Sequence, residues 1–317
     1  MSYEQLMAHA AEIERLAVRG ALEQKGFVYD GNGNPHPPME LGPEGATYVM
    51  DDTVKQFADI PAMFAPFASM PDPADFGSMR DGLLAAMREL STGQTPTDPI
   101  TGLGVEANIT LDAMGGVGDT LRDWHGRAAA AFTLGFVEPF PSLTRNQFML
   151  AAILKGAIEA EQEIWTNARA NADKIAHDAI TALEHMGDCG KNEWTMFFTV
   201  GASVAAVAAT VVSGGTAVIA LTAVGAASQV VAAAAPDDPP RGQFSGETSE
   251  AVIGQVREAL TRLATEIGRQ EQKIATAMGS CRAYVAANRA SFVAPRPALA
   301  DATAGTIRDP LTGLGDR

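Results

Sequence analysis

Three features of the chain predict an all-α protein: an elongated bundle of long antiparallel helices around a central hydrophobic helical hairpin. Two stretches, about 142–186 and 248–292, repeat apolar residues every three or four positions. Between them, Trp194–Pro236 carries no charged side chain. Ser213-Gly214-Gly215 divides that stretch into the arms Trp194–Val212 and Thr216–Ala235. As a helix each arm would rise roughly 30 Å, the thickness of a bilayer's hydrocarbon core.

The larger apolar residues of the hairpin include Trp194, Phe197, Phe198, Val211, Val212, Val218, Ile219 and Leu221, with Gly214 and Gly215 at its turn. A helix that is apolar all round either spans a membrane or lies deep in a core. The arms are rich in Ala, Val, Gly and Thr, so their insertion free energy is weak. Small residues at four-residue spacing (Ala202/Ala206, Gly201/Ala205/Ala209) permit close helix approach in lipid or in a protein core alike. Val and Thr also favour strands, which leaves an extended arm open in one state. The expectation is membrane contact through 194–236 at some stage; the plain alternative is a permanently buried core hairpin.

Whole-chain numbers narrow the classes. Of 317 residues 46% are hydrophobic, enough for a core, while aromatics make up only 6%, which suits closely packed small-residue helices. The net charge of −15 argues against nucleic acid and against electrostatic attachment to anionic lipid. The first twenty residues show no basic region followed by an apolar run, so no Sec signal peptide is expected; the protein is read as secreted or in the cell envelope by another route. Two cysteines, Cys189 and Cys281, make no disulfide framework, and their separation along the returning helix predicts no bond between them.

Taken in order, residues 1–92 read as an N-terminal helical segment. Leu6, Ala10, Ile13, Ala17 and Gly20, with Leu16, mark one face of a helix over 1–26. Residues 28–47 are a Gly/Pro loop; its Asp30-Gly-Asn32-Gly-Asn34 imitates a calcium loop but has Pro35 and Leu41 where Gly and Glu are needed. Helices follow over about 51–69 and 75–90. Residues 93–104 form a linker containing Asp98–Gly104, DPITGLG, which recurs as DPLTGLG at Asp309–Gly315 and reads as a Gly/Pro cap. Residues 105–292 are the helical body, with helices over 105–123 and 127–136, a break at Pro139 and Pro141, and a long helix to Met186 lined by Leu154, Ile158, Trp165, Ala168, Ala172, Ile175 and Ala179. After the hairpin, Thr248 is the N-cap of a helix with the heptad line Ile253, Val256, Leu260, Leu263, Ile267, Gln270, Ile274, Ala277, Cys281 and Tyr284. Residues 293–317 are a tail.

No enzyme is expected. GxSxG, P-loop and HExxH patterns are absent, and Gly115-Gly116-Val117-Gly118 lacks the spacing of a dinucleotide loop. His177 and His185, with Asp188 and Cys189 beyond, read as solvated helix residues rather than metal ligands. No cofactor is predicted.

The most informative short motif is Trp124-His125-Gly126, set between two helical segments as Leu121-x-x-Trp124-x-Gly126-x-Ala128-Ala129-x-Ala131-Phe132. Gly allows a tight reversal and Trp caps the apolar end of the helical pair. Over about 105–187 this resembles the WXG100-like helical hairpins exported by type VII (ESX) secretion systems, and especially the larger substrates in which a hydrophobic region follows. The resemblance implies that Trp124 and Gly126 form the turn and part of the groove facing a helical partner. Members usually carry a Tyr followed four residues later by an acid, after the turn; here Tyr284 is followed by Asn288, and Tyr48-x-x-x-Asp52 lies upstream. The expected function is a non-enzymatic type VII-secreted helical protein that pairs with a helical protein or with itself, binds no nucleic acid and contacts membrane. The alternatives are an α-helical pore-forming toxin component and, against a weak charge bias at the hairpin flanks, a resident two-span membrane protein.

Overall fold

The computed structural model describes residues 2–93, 97–186, 194–197, 209–211, 219–221, 241–244 and 248–294, the strands beyond residue 190 through their backbone alone. The protein is all-α: among the described residues helices dominate, with three two-stranded antiparallel sheets of short strands. Two compact units emerge, each assembled from segments distant in sequence. The first comprises Met1–Asp75, Gln162–Ala202 and Ala235–Glu271, the second Phe76–Glu161, Ser203–Ala234 and Gln272–Arg317.

In the first unit, α1 (Leu6–Gln24) buries Leu6, Ala10, Ile13, Ala17 and Gly20, the face its spacing marks out. A two-residue-strand hairpin, β1 (Val28–Tyr29) with β2 (Pro35–His36), leads to α2 (Pro43–Phe57) and α3 (Ile60–Ala68). The single helix expected over 51–69 is thus two: Pro61 has no N–H to bond back to Phe57, so the helix restarts at Ile60. Ile60, Phe64 and Phe67 then bury one face. The long helix α8 (Phe140–Glu184) contributes Ala168, Ala172, Ile175 and Ala179, all fully buried, and α9 (Ser249–Ala287) contributes Ile253, Val256, Leu260, Leu263 and Ile267. The Thr248 hydroxyl accepts the Ala251 amide at 3.2 Å, as an N-cap should. Gly20 sits where the end of α8 meets the start of α9: a Cβ there would run into the Met186 methyl and lie 2.7 Å from the Ser249 hydroxyl.

In the second unit, α4 (Gly77–Leu90) and the beginning of α8 share a core of Met87, Val105, Phe148, Ala152, Ile153 and Phe292. The helix expected over 105–123 is only α5 (Ile109–Asp112), a 3-10 turn (Ala113–Gly116) and α6 (Val117–Thr120). Gly115, Gly116 and Gly118 make a continuous helix costly in backbone entropy. Next come α7 (Arg127–Phe132) and a π-helical turn (Thr133–Val137) closed by the Glu138 amide on the Thr133 carbonyl at 2.9 Å. The expected break at Pro139 and Pro141 is present: the helical turns end at Val137 and α8 restarts at Phe140, where a missing N–H costs nothing. The buried line of α8 in this unit runs through Ile153 and Ala160, leaving Leu154 39% exposed. In the first unit it takes Ile164, fully buried, where the sequence pointed to the half-buried Trp165.

Of the hydrophobic stretch, β3 (Trp194–Phe197) pairs with β6 (Arg241–Phe244), Trp194 opposite Phe244, and β4 (Ala209–Val211) pairs with β5 (Ile219–Leu221), Val211 opposite Ile219. Residues 209–211 and 219–221, one from each arm, thus pair antiparallel, and at Trp194, Phe197, Val211, Ile219 and Leu221 the backbone is extended, which corrects the helical hairpin at those positions. Thr210, Val211 and Ile219 are β-branched and lose less rotamer freedom in a strand. Phe198, Val212, Gly214, Gly215 and Val218 lie outside the described residues, as does Cys189. Cys281 carries no disulfide. Among the described residues no helix is long and apolar enough to cross a membrane.

Candidate functional site

The Trp124-His125-Gly126 turn is built by backbone geometry. The Trp124 amide closes a turn onto the Leu121 carbonyl at 2.9 Å. Gly126 has φ +105° and ψ 179°, a region essentially closed to side-chain-bearing residues, and its carbonyl accepts the Ala130 amide to start α7. Beyond it runs an aromatic ladder: Trp124 to Phe132 at 5.7 Å between ring centroids, Phe132 to Phe136 at 5.3 Å, Phe136 to Phe140 at 5.9 Å. Rings four residues apart on an α-helix are offset by about 40°. The wider π turn under Phe136 keeps them in file. The ladder is not core. The three phenylalanines are half-buried, Trp124 is exposed, and Leu134 and Ile109 are 65% and 83% exposed. No residue of α5, α6 or the π turn is buried. Sequence reading found Trp124 and Gly126 and missed the three phenylalanines, although their four-residue spacing was legible.

A second constellation falls in the stretch read as a linker. Asp98 and Lys155 are both buried, 2% and 4% exposed, with 3.1 Å between Lys155 Nζ and the Asp98 carboxylate; Glu159 takes the same ammonium at 2.7 Å. Burial pushes the Asp98 carboxyl upward, but the Ile100 amide, Lys155 and Thr101 outweigh it and its pKa is lowered. Burial likewise pushes the Lys155 ammonium down, and Glu159 and Asp98 outweigh that, leaving its pKa raised. Ile100 lies against Gly156, where a Cβ would collide with the isoleucine Cδ1. Residues 98–104 are therefore a clasp seated on α8, not a free connector. The repeated DPxTGLG string was its only trace in the sequence.

His9 and Asp173 face each other across α1 and α8 at 3.5 Å; Arg169, one turn before Asp173, stacks on Tyr3 at 4.5 Å and donates to the Met70 carbonyl. An open cleft of about 430 Å³ between α1 and the β1–β2 hairpin holds Arg15 and Arg19, each already paired with Glu12 or Glu23. In the calcium-like loop, Asp30 spends its carboxylate on the amides of Asn32 and Asn34 at 2.9 and 2.8 Å. Among the described residues no group of three or more His, Cys, Asp or Glu side chains is placed to hold a metal; His177 on α8 and His185 just past its end belong to none. Tyr48 and Asp52 both stand exposed on α2.

No protein-family model matches the chain, and no curated protein or solved structure matches it either.

Proposed function

We propose that this chain is a non-enzymatic, type VII-secreted helical protein that pairs with a helical partner along the Trp124–Phe140 face and touches membrane through residues 194–236. The observation that supports the reading best is the aromatic ladder running on from the Trp124–Gly126 turn. A glycine-only backbone conformation fixes the reversal. Four aromatic rings in file then leave an apolar face that the described residues cover only in part. Such a face suits the apolar stripe of another helix, which meets it at successive turns. The departure from the secretion pattern, with no Tyr-x-x-x-acid after the turn, fits a partner that supplies the export signal; the exposed Tyr48 and Asp52 of α2 are the other carriers of that spacing.

Export is tested in the producing cell. Inactivating its type VII apparatus should clear the protein from the culture filtrate, and undiminished secretion would sink that half of the reading. Pairing is tested by co-purification: the Trp124→Ala/Phe136→Ala variant should lose the helical partner at unchanged helix content. Membrane contact is tested by flotation with uncharged phosphatidylcholine vesicles, which should carry the wild type and not Ile219→Asp/Leu221→Asp. Dye release from those vesicles would favour the second reading, a pore-forming toxin component, which draws on the same uncharged stretch.

A further inference from the structure

Asp98–Gly104 and Asp309–Gly315 differ at one of seven positions, Ile100 against Leu311, two branched side chains of equal size. In the first copy the residues that recur carry the fold of the clasp. The Asp98 carboxylate accepts the Ile100 amide at 2.8 Å and holds Lys155. The Asp98 amide donates to the Leu103 carbonyl at 2.8 Å, and the Gly102 amide to the Asp98 carbonyl at 2.9 Å. Gly102 takes φ +71°, and the Leu103 amide donates to the Thr101 hydroxyl. Only the Ile100 side chain, against Gly156, is altered in the second copy.

We propose that the Lys155–Gly156–Glu159 seat on α8 is a binding site for the peptide Asp-Pro-Ile/Leu-Thr-Gly-Leu-Gly, and that its second ligand is this chain's own Asp309–Gly315, which exchanges with Asp98–Gly104. Three observations carry the proposal. The ligand string is repeated with its carboxylate, both glycines and its branched apolar residue in the same places. The seat is selective: a buried ammonium demands a carboxylate, and Gly156 demands a side chain that fills its notch. The described chain that leads into the second copy is also held on α8. The Phe292 carbonyl accepts from Gln147 at 2.6 Å and the Ser291 carbonyl from Asn146 at 2.8 Å, which fixes the start of the tail on α8. Lys155 stands eight residues beyond Gln147, about 12 Å along the helix. The residues from 293 to 308 span up to about 50 Å extended, so the tail reaches the seat of its own chain at an effective concentration on the order of millimolar. A second chain meets that concentration only in concentrated solution. Because the two strings differ at one position, exchange between them costs little beyond the difference between their tethers.

The test is amide hydrogen exchange on the full-length chain and three variants: Asp98→Asn, Asp309→Asn and the double variant. In Asp98→Asn the near copy loses its charge, the tail takes the seat, and exchange at Gly313–Gly315 slows about tenfold relative to wild type. Asp309→Asn abolishes that slowing, and the double variant has a lower urea midpoint than the two single shifts add up to. A second pair guards against an unfolded Asp98→Asn: Ile100→Ala should produce the same protection, and Ile100→Ala/Leu311→Ala should remove it. Unchanged exchange at Gly313–Gly315 in both Asp98→Asn and Ile100→Ala, or strictly additive midpoints, overturns the proposal. Protection that grows with protein concentration overturns it in favour of a second copy as the occupant.

Discussion

Two turns of this protein are nearly the same object locally and differ in what they touch. Each begins with an aspartate whose amide closes a short loop, onto the Asn34 carbonyl at 3.1 Å for Asp30 and onto the Leu103 carbonyl at 2.8 Å for Asp98. In each the aspartate carbonyl accepts from a glycine with positive φ, Gly33 at +82° and Gly102 at +71°. In each the carboxylate accepts the amide two residues on. The Asp30 carboxyl lies well below the usual carboxylate range because the Asn34 amide, the Asn34 side chain, Asn32 and His36 all donate to it. Asp98 is also lowered, but against burial and with the help of a buried ammonium. Turn chemistry alone makes a turn; a tertiary partner makes it a clasp.

The largest break in this symmetry should come from Lys155→Met. It leaves a buried carboxylate without its cation and should cost about 3–5 kcal/mol by urea unfolding, with no counterpart at the Asp30 turn. In the wild type the pair's contribution is complete between about pH 4 and pH 10. It falls as pH drops through the lowered value of Asp98 and as pH rises through the raised value of Lys155. In Lys155→Met the acid limb changes sign: an uncompensated buried carboxyl titrates upward, so the deficit against wild type narrows as the solution is acidified. A deficit that widens on acidification would show that Asp98 is not held by Lys155.

Gly156→Ala comes next. The added methyl meets Ile100, and overpacking should cost about 1–3 kcal/mol. Adding Ile100→Ala should recover part of it, and a fully additive double variant would deny the contact. Gly33→Ala and Gly102→Ala should each cost about 1–2 kcal/mol, and equally, because both force a side chain into left-handed backbone with open space around it. The smallest effect is reserved for Asp30→Asn, whose turn stands in solvent; its urea midpoint should not separate from wild type.

The same contrast marks how far the sequence could be read. Periodicity found α1, the heptads of α9 and the cap at Thr248, because each is a local pattern written in residues that repeat. It overextended the helix at 105–123, where three glycines outweigh the apolar spacing, and merged α2 with α3 across Pro61. The Trp124–Gly126 turn was legible because its chemistry is contiguous. The clasp was not, since its two charged partners lie 57 residues apart and a Gly/Pro-rich string looks the same whether it floats or is bolted down. In the uncharged stretch the antiparallel pairing of 209–211 with 219–221 was legible but its extended backbone was not, for Ala and Val serve helix and strand alike.

The π turn at Thr133–Val137 has a consequence for anyone aligning or trimming this chain. One extra residue in a turn advances the helical phase by about 100°, so positions before Thr133 and after Val137 do not share one wheel. Deleting a single residue there would restore ordinary winding and leave Phe132 and Phe140 seven positions apart, about 20° out of file, so the two rings would still share one stripe.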